Sequence, residues 1–443
     1  MKLRNLEEQV MVITGATSGI GLTTARMAAE NGVRLMLIAR NEQALRELTD
    51  EINSSGGRAI FHAADVADEN ALREAARKTV QEFGAIDTWV NNAGASVYGR
   101  LMDISTDDLR RVFETNLWGV VYGSRIAVDH LRENGGALIN VGSEVSDAPV
   151  PLQGIYSASK HAVKGFTDAL RIEVEADGLP ISVSLVKPTA IHTPFTVNAK
   201  NYLPYEPQLP SPVYAPDLVA EAILYCAENP TRDFFVGETA KLHSSMALNA
   251  PRLYDMFNES TIDSMQNSGE PSVINRRDGL HQTNSKLRER GFDDRYVMET
   301  SVYQKAKMHP LLTAGLLAGG SLAVAAFLNS RKTRSDGPIQ HRGDQRTLPM
   351  KSPFPAKTTA STVFQPITGT RLNISEHMEV VGSDGQHIGT VDKLEGDHIK
   401  LTRDDSPDGE HHRISLTNVD TIDQNRVRLS KPADEVRSDW RSA

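Results

Sequence analysis

The residues whose types and spacing could do chemistry are Tyr156 and Lys160, four positions apart in the stretch YSASK. This spacing places both side chains on one face of a predicted helix. A tyrosine with its ordinary pKa of about 10 is a poor acid or base near neutral pH, and a neighbouring cation lowers that pKa. Such a pair also occurs as plain surface charge on helices, so that alternative stays open.

Ser143 ends the predicted strand GALINVGS, thirteen residues before Tyr156. The carboxyl ends of the strands form the edge at which open α/β sheets bind ligands. We therefore expect Ser143, Tyr156 and Lys160 to meet in one site, where the tyrosine moves a proton.

The stretch TGATSGIG, residues 14 to 21, stands between a predicted strand and a predicted helix. Glycine permits a tight turn and a close approach of the backbone to a pyrophosphate, while the helix N-terminal amides face the anion. The order of strand, turn and helix indicates a dinucleotide site, with a purely structural turn as the alternative. The predicted contacts are Gly15, Thr17, Ser18, Gly19, Ile20 and Gly21.

The ends of the next strands select the dinucleotide. Arg40 stands at the tip of the second strand, where a carboxylate would bind the adenosine ribose hydroxyls. A guanidinium suits a 2′-phosphate instead, so NADP(H) is predicted over NAD, unless Arg40 is a solvated charge. Asp65 ends the third strand, where it can accept a hydrogen bond from the adenine amino group. Further predicted contacts are Val66 and the segment Asn92, Ala93 and Gly94.

The elements that must position these residues follow from the alternation of short apolar runs with helical patterns. This alternation predicts repeated βαβ units and a Rossmann-type, doubly wound parallel sheet of the α/β class. Strands are expected at 10–14, 33–39, 59–65, 86–92, 136–143, 181–188 and 233–237. Helices are expected near 20–31, 42–55, 69–83, 106–132, 156–177 and 216–228.

In order and spacing, TGATSGIG, NNAG, the Asn of ETNLWG, the Ser of NVGS and YSASK resemble the short-chain dehydrogenase/reductase superfamily. The resemblance covers about residues 5 to 250 and has the glycine spacing of the single-domain members. It implies that Tyr156 donates or accepts the proton and that Ser143 hydrogen-bonds the substrate oxygen. It also implies that Lys160 binds the nicotinamide ribose and lowers the tyrosine pKa, and that Asn116 holds a water in a proton relay.

The stretch VKPTAIHTPF, residues 186 to 195, departs from the family pattern. The family commonly has Pro-Gly after the sixth strand, whereas Thr189 follows Pro188 here. Thr193 still matches the position that contacts the nicotinamide carboxamide, so Pro188 and Thr193 are predicted cofactor contacts. His192 either lines the substrate pocket or satisfies a loop.

With 443 residues, the chain is expected to hold more than one domain. The extension with GFDD at 291 to 294 resembles that of a bacterial subgroup of longer dehydrogenases, and the C-terminal segment resembles small uncharacterised bacterial domains related to the PRC barrel. The predicted parts are a catalytic domain (1–255), an irregular polar extension (256–305), an apolar helix (306–330), a basic proline-containing linker (331–371) and a small β-barrel-like accessory domain (372–436).

The run LLTAGLLAGGSLAVAAFL, residues 311 to 328, has no charge. As a helix it would span about 27 Å, close to the bilayer core of about 30 Å, so we expect membrane contact. A buried or oligomer-forming helix is the alternative. The N-terminus lacks the apolar stretch of a signal peptide, so the catalytic domain is expected in the cytoplasm, associated with a membrane through this run.

Composition excludes several classes of function. The net charge of −9 argues against nucleic-acid binding, and the single cysteine excludes an internal disulfide. No metal site is predicted, because the Cys and His spacing matches no known ligand pattern. The leading hypothesis is an NADP(H)-dependent oxidoreductase acting on CH–OH or C=O groups of a lipophilic small molecule, with a homo-oligomer left open. The alternative is an NADP(H)-binding, membrane-associated scaffold or sensor with a β-domain interaction module.

Overall fold

The structure is a computed structural model. The described residues are 2–261, 264–273, 276–283, 287–309, 374–375, 378–396, 398–403, 411–423, 426–438 and 441–442. They belong to two compact units, one within residues 1–339 and the other within 340–443. The apolar run 311–328 and the linker 331–371 lie outside the described residues. The domain boundaries placed from the sequence stay predictions.

The first unit is built on a seven-stranded parallel sheet in the order β7-β6-β5-β4-β1-β2-β3. The strand order reverses between β1 and β4, which opens a crevice at the carboxyl ends of these strands. The predicted doubly wound sheet is therefore confirmed. The strands are β1 (Val10–Thr14), β2 (Arg34–Ala39), β3 (Arg58–Ala63), β4 (Thr88–Asn91), β5 (Gly136–Val141), β6 (Ile181–Pro188) and β7 (Asp233–Val236).

Helices cover both faces of this sheet, so its central strands are buried from end to end. Alternate residues of β1 belong to two apolar cores. Met11 and Ile13 pack on one face of the sheet, and Val12 packs with Trp89 on the other. The helices of this unit are α1 (Gly19–Glu30), α2 (Glu42–Ser54), α3 (Glu69–Phe83), α4 (Thr106–Phe113), α5 (Gly119–Leu131), α6 (Gly154–Ala176), α7 (Phe195–Asn198), α8 (Pro216–Glu228), α9 (Glu238–Asn249), α10 (Pro251–Thr261) and α11 (Val302–Met308).

One predicted helix is interrupted. The sequence pattern predicts a single helix over 106–132, whereas a π-helical turn, Glu114–Trp118, separates α4 from α5. A π turn inserts one residue into the helical repeat and often marks a functional position. Helical periodicity hides such an insertion, because the apolar pattern continues on both sides of it.

Three short strand pairs connect the loops and the extension of this unit. Val97–Tyr98 pairs with Lys200–Asn201. Tyr205–Pro207 pairs with Asn267–Pro271, and Val213–Tyr214 pairs with Val297–Met298. The last two pairs attach the extension after residue 255 to the segment that follows β6. The extension thereby packs within the first unit.

The second unit contains a mixed seven-stranded sheet in the order β12-β13-β8-β9-β10-β11-β14, which confirms a small C-terminal β domain. Ile399, Leu401 and Ile414 form part of its apolar core, as their period of two predicts. One helix, α12 (Ala433–Ser438), adds Ala433 and Val436 to this core. The strands are β8 (Glu379–Val381), β9 (His387–Glu395), β10 (His398–Leu401), β11 (His412–Ser415), β12 (Val419–Asp423), β13 (Arg426–Leu429) and β14 (Arg441–Ser442).

Within the described ranges, none of the helices combines the length and the apolar character that a membrane span requires.

Candidate active site

Tyr156 and Lys160 lie on successive turns at the start of α6, as their spacing predicts. The ammonium nitrogen Nζ of Lys160 donates a hydrogen bond of 2.8 Å to the carbonyl of Val141, the last residue of β5. The same nitrogen lies 5.8 Å from the ring centroid of Tyr156. Helix α6 and the end of β5 therefore hold this cation beside the tyrosine.

Burial perturbs both groups. It raises the pKa of Tyr156, while a hydrogen bond with Ser143 lowers that pKa and the charge of Glu144 raises it. Burial lowers the pKa of Lys160 to about 8. The pKa of Tyr156 thus lies above its ordinary value, whereas the sequence argument expects Lys160 to lower it. The phenol is therefore neutral at physiological pH and able to donate a proton.

Ser143 begins a short 3-10 turn, Glu144–Ser146, immediately after β5. Its hydroxyl oxygen accepts a hydrogen bond of 3.3 Å from the amide of Val145 and lies 3.5 Å from the carbonyl of Pro188. These contacts hold the hydroxyl group at the carboxyl end of the sheet, in the cavity that Tyr156 also lines.

Asn116 lies in the π turn and is fully buried. Its side-chain nitrogen donates to the carbonyl of Ala95 and the hydroxyl of Ser159, each at 2.9 Å, and its oxygen accepts from the amide of Ala95 at 2.7 Å. A Cβ on Gly94 would lie 3.7 Å from that oxygen and 3.9 Å from Nζ of Lys160. Asn116 therefore braces the segment beside Lys160.

The glycine turn has the geometry that a dinucleotide requires. Gly15 and Gly19 have φ angles of +68° and +51°, which favour glycine. A Cβ on Gly21 would lie 2.2 Å from the carbonyl oxygen of Gly15, so any side chain there would force the turn apart. The side chain of Asn92 donates 3.0 Å to the carbonyl of Thr14 and ties the NNAG segment to the turn. These residues fit a nicotinamide dinucleotide.

A single cavity joins the predicted catalytic and cofactor residues, although Gly21 and Asn116 lie behind its wall. Tyr98, Val145, Val150, Phe195 and Leu209 add an apolar and aromatic section to it. The predicted residues that line it are Gly15, Thr17, Ser18, Gly19, Ile20, Arg40, Asp65, Val66, Asn92, Ala93, Gly94, Ser143, Tyr156, Lys160, Pro188 and Thr193.

At the far end of this cavity, Arg40 donates to the carbonyls of Gly279 and, at 3.1 Å, Leu280. Burial lowers the pKa of Arg40. The carboxylate of Asp65 pairs with Arg111 and accepts a hydrogen bond of 3.0 Å from the amide of Ala67. Burial raises the pKa of Asp65, but these hydrogen bonds bring it below its ordinary value. Sequence reasoning missed Arg111, since nothing in its helical context marks it.

Thr189, the departure from the family pattern, has a specific partner. Its hydroxyl donates 3.0 Å to the carboxylate of Glu144, and Nδ1 of His243 in α9 lies 3.0 Å from the same oxygen. The hydrogen bond with Glu144 raises the pKa of His243. Sequence reasoning missed Glu144 and His243, and the unusual Thr189 was the signal that could have found them.

His192 does not line the cavity; its Nε2 lies 2.7 Å from the carboxylate of Asp293. Of the two alternatives predicted for His192, the structure therefore favours the loop contact. Among the described residues, no three His, Cys, Asp or Glu side chains form a group that could hold a metal ion.

Comparisons with known proteins agree with this geometry. A family model described as short chain dehydrogenase matches residues 9–202. A second model, described as "Uncharacterized protein conserved in bacteria (DUF2171)", matches residues 374–437 and confirms the predicted bacterial C-terminal domain.

Three similar proteins illustrate the relationship. Uncharacterized oxidoreductase YxnA of Bacillus subtilis (strain 168) is 42% identical over 322 residues, which cover 72% of this chain and 90% of that protein. Dehydrogenase/reductase SDR family member 7B of Bos taurus is 39% identical over 197 residues, 43% of this chain and 60% of that protein. The solved structure of an alcohol dehydrogenase from Thermococcus sibiricus, complexed with 5-hydroxy-NADP, has 28% identity and a TM-score of 0.45, covering 52% of this chain and 94% of that one. With the match to YxnA extending over most of both proteins, the chain belongs to the short-chain dehydrogenase/reductase family and is an oxidoreductase.

Proposed function

We propose that the protein is an NADP(H)-dependent oxidoreductase that interconverts a carbonyl and an alcohol on a lipophilic small molecule, with Tyr156 as the acid/base. The observation that carries this proposal is the convergence of Ser143, Tyr156 and Lys160 on the cavity that the glycine turn lines. When bound, the nicotinamide cofactor supplies or accepts the hydride.

The chain's own residues handle the oxygen and its proton. Tyr156 donates a proton to the substrate oxygen during reduction and takes it back during oxidation. Ser143 hydrogen-bonds the same oxygen and orients it. Lys160, anchored on the Val141 carbonyl, binds the nicotinamide ribose and places its charge beside the phenol. The side-chain amide of Asn116 already bonds Ala95 and Ser159. The relay water would therefore bind to the backbone around Asn116.

Two features support the finer assignments. Arg40 at the end of β2 offers a cation where a carboxylate would serve NAD, and this favours a 2′-phosphate. Phe195 packs edge-on against Tyr156 with 5.3 Å between ring centroids, and it packs 6.5 Å from Tyr98. An aromatic wall beside the acid/base favours apolar carbonyl compounds.

The test replaces Tyr156 with Phe, which removes only the hydroxyl. NADPH oxidation should be followed with a panel of aldehydes, ketones and quinones, and the accepted substrates should also be offered with NADH. We expect the variant to lose about 10²- to 10⁴-fold in kcat, the usual contribution of a general acid, while it still binds NADPH. Unchanged turnover in the variant would refute the role of Tyr156. Binding of NADPH without turnover of any compound by the unmodified protein would favour a sensor.

We also propose that the uncharged run 311–328 attaches the chain to a membrane, on the basis of its length and composition. The full chain and a variant lacking residues 306–335 should be compared by membrane fractionation. We expect only the full chain to sediment with membranes. Equal recovery of both proteins in the supernatant would contradict attachment.

A further inference from the structure

The crossing loop, residues 276–283, lies in the extension beyond the part of the chain that matches the family model. It begins at Arg276, which pairs with Glu206 at 2.6 Å. The amide of Gly279 then donates 2.7 Å to the carbonyl of Asn198 in α7. These contacts bring the loop to the rim of the cofactor cavity, and Gly279 lines that cavity.

Two side chains anchor the loop next to Gly279. Leu280 is 1% exposed and packs in an apolar cluster with Val97, Ile104 and Val112. The ring nitrogen Nε2 of His281 lies 2.6 Å from the carboxylate of Asp108, which is itself buried. The backbone of Gly279 and Leu280 is therefore held in one place.

The carbonyls of this anchored backbone accept hydrogen bonds from Arg40, which lines the cavity, and from Arg111. Arg40 donates to both Gly279 and Leu280, and Nε of Arg111 donates 3.2 Å to Leu280. A guanidinium has five N–H donors in one plane, so two carbonyl acceptors fix the plane of Arg40 and leave other donors for an anion. Burial lowers the pKa of Arg40. The charges of Asp65 and Asp278 raise that pKa, and the charge of Arg111 lowers it.

We propose that the crossing loop is a specificity element of the cofactor site, whose Gly279 and Leu280 carbonyls hold the Arg40 guanidinium in place for the 2′-phosphate of NADP(H). This inference rests on the proposed NADP(H) preference and adds a residue-level cause to it. A free arginine side chain loses rotamer entropy when it binds a phosphate, and an arginine that is already held loses less. The loop thereby favours the phosphorylated dinucleotide without contributing a charge of its own.

The test uses 2′,5′-ADP and 5′-AMP, two probes that differ by the 2′-phosphate alone. Their dissociation constants are measured by calorimetry for the full chain and for Leu280→Ala, which removes the buried anchor but keeps both carbonyls. We expect the full chain to prefer 2′,5′-ADP by at least about tenfold, and the preference to fall by about fivefold in Leu280→Ala through lost preorganisation. Binding of 5′-AMP should stay the same.

Two further proteins control for general damage to the extension. Glu299→Gln removes a carboxylate that pairs with Arg290 in the same extension, and it should keep the full preference. In an Arg40→Ala background, Leu280→Ala should cause no additional loss, because the loop acts through Arg40.

The outcomes separate the two proposals. A full chain without preference for 2′,5′-ADP would refute the NADP(H) assignment and the loop's role with it. If the full chain prefers 2′,5′-ADP and the Leu280→Ala variant keeps the same preference, only the loop's role is overturned. A stronger preference in Leu280→Ala would mean that the carbonyls compete with the phosphate, which also overturns it.

Discussion

Lys160 should make the stability of the catalytic unit depend on pH in a specific window. Its side chain is buried, and burial lowers its pKa from an ordinary 10.5 to about 8. At 1.36 kcal/mol per pKa unit, keeping the charged form buried costs about 3 kcal/mol relative to the unfolded chain. The Lys160→Met variant has no group that titrates at this position, so it lacks this pH-dependent cost.

The sign follows from the protons bound in each state. Below pH 8 the lysine is protonated in both the folded and the unfolded chain, and the full cost is present. Between pH 8 and 10.5 the folded chain releases this proton while the unfolded chain keeps it, so stability rises with pH. The free energy of unfolding of the unmodified protein, minus that of Lys160→Met, should therefore increase by up to about 3 kcal/mol across this window.

The measurement is urea unfolding of the dinucleotide-free full chain, followed by tryptophan fluorescence, since Trp89 is fully buried in β4. Repeating the comparison in a Tyr156→Phe background removes the titration of the neighbouring phenol and should leave the increase in place. A difference that stays constant between pH 8 and 10.5, or falls, would refute the assignment of a buried, charged lysine.

Two other substitutions test the glycine turn and the contact between Glu144 and His243. Gly21→Ala should abolish NADPH binding in a fluorescence titration, because the new Cβ would lie 2.2 Å from the Gly15 carbonyl oxygen. In the matched control Gly165→Ala, the new Cβ meets nothing within 4 Å. This control should stabilise α6 by about 0.5–1 kcal/mol. The pKa of His243 is raised by its hydrogen bond with Glu144, so its stabilising effect is complete below its ordinary 6.5 and is lost as pH rises through the folded-state value. The unmodified protein should therefore exceed His243→Gln in free energy of unfolding at pH 5.5 and lose that excess by pH 9; an equal excess at both pH values would contradict the contact.

The sequence predicted the architecture of the catalytic unit well because that architecture follows from local signals. Strand β1 matches its predicted range, and the other central strands agree within three residues at each end. A buried parallel strand is a short apolar run, and an amphipathic helix repeats every 3.6 residues, so both can be seen in a short window. The π turn at Glu114–Trp118 was missed, because one inserted residue barely changes that repeat.

The same distinction applies within the site. The four-residue spacing of Tyr156 and Lys160 and the glycines of the turn were evident from the sequence, because helix and turn geometry bring near neighbours together. The contact of Arg40 with Gly279 and Leu280 joins residues about 240 positions apart, and only the packed extension brings them together.

Glu144 and His243 meet for the same reason, since α9 packs beside the turn that follows β5. The sequence by itself thus determined the fold class and the family, and it predicted which groups react. The tertiary structure alone decided which distant groups surround them, because long-range contacts depend on how whole elements pack and leave no periodic signal in the chain.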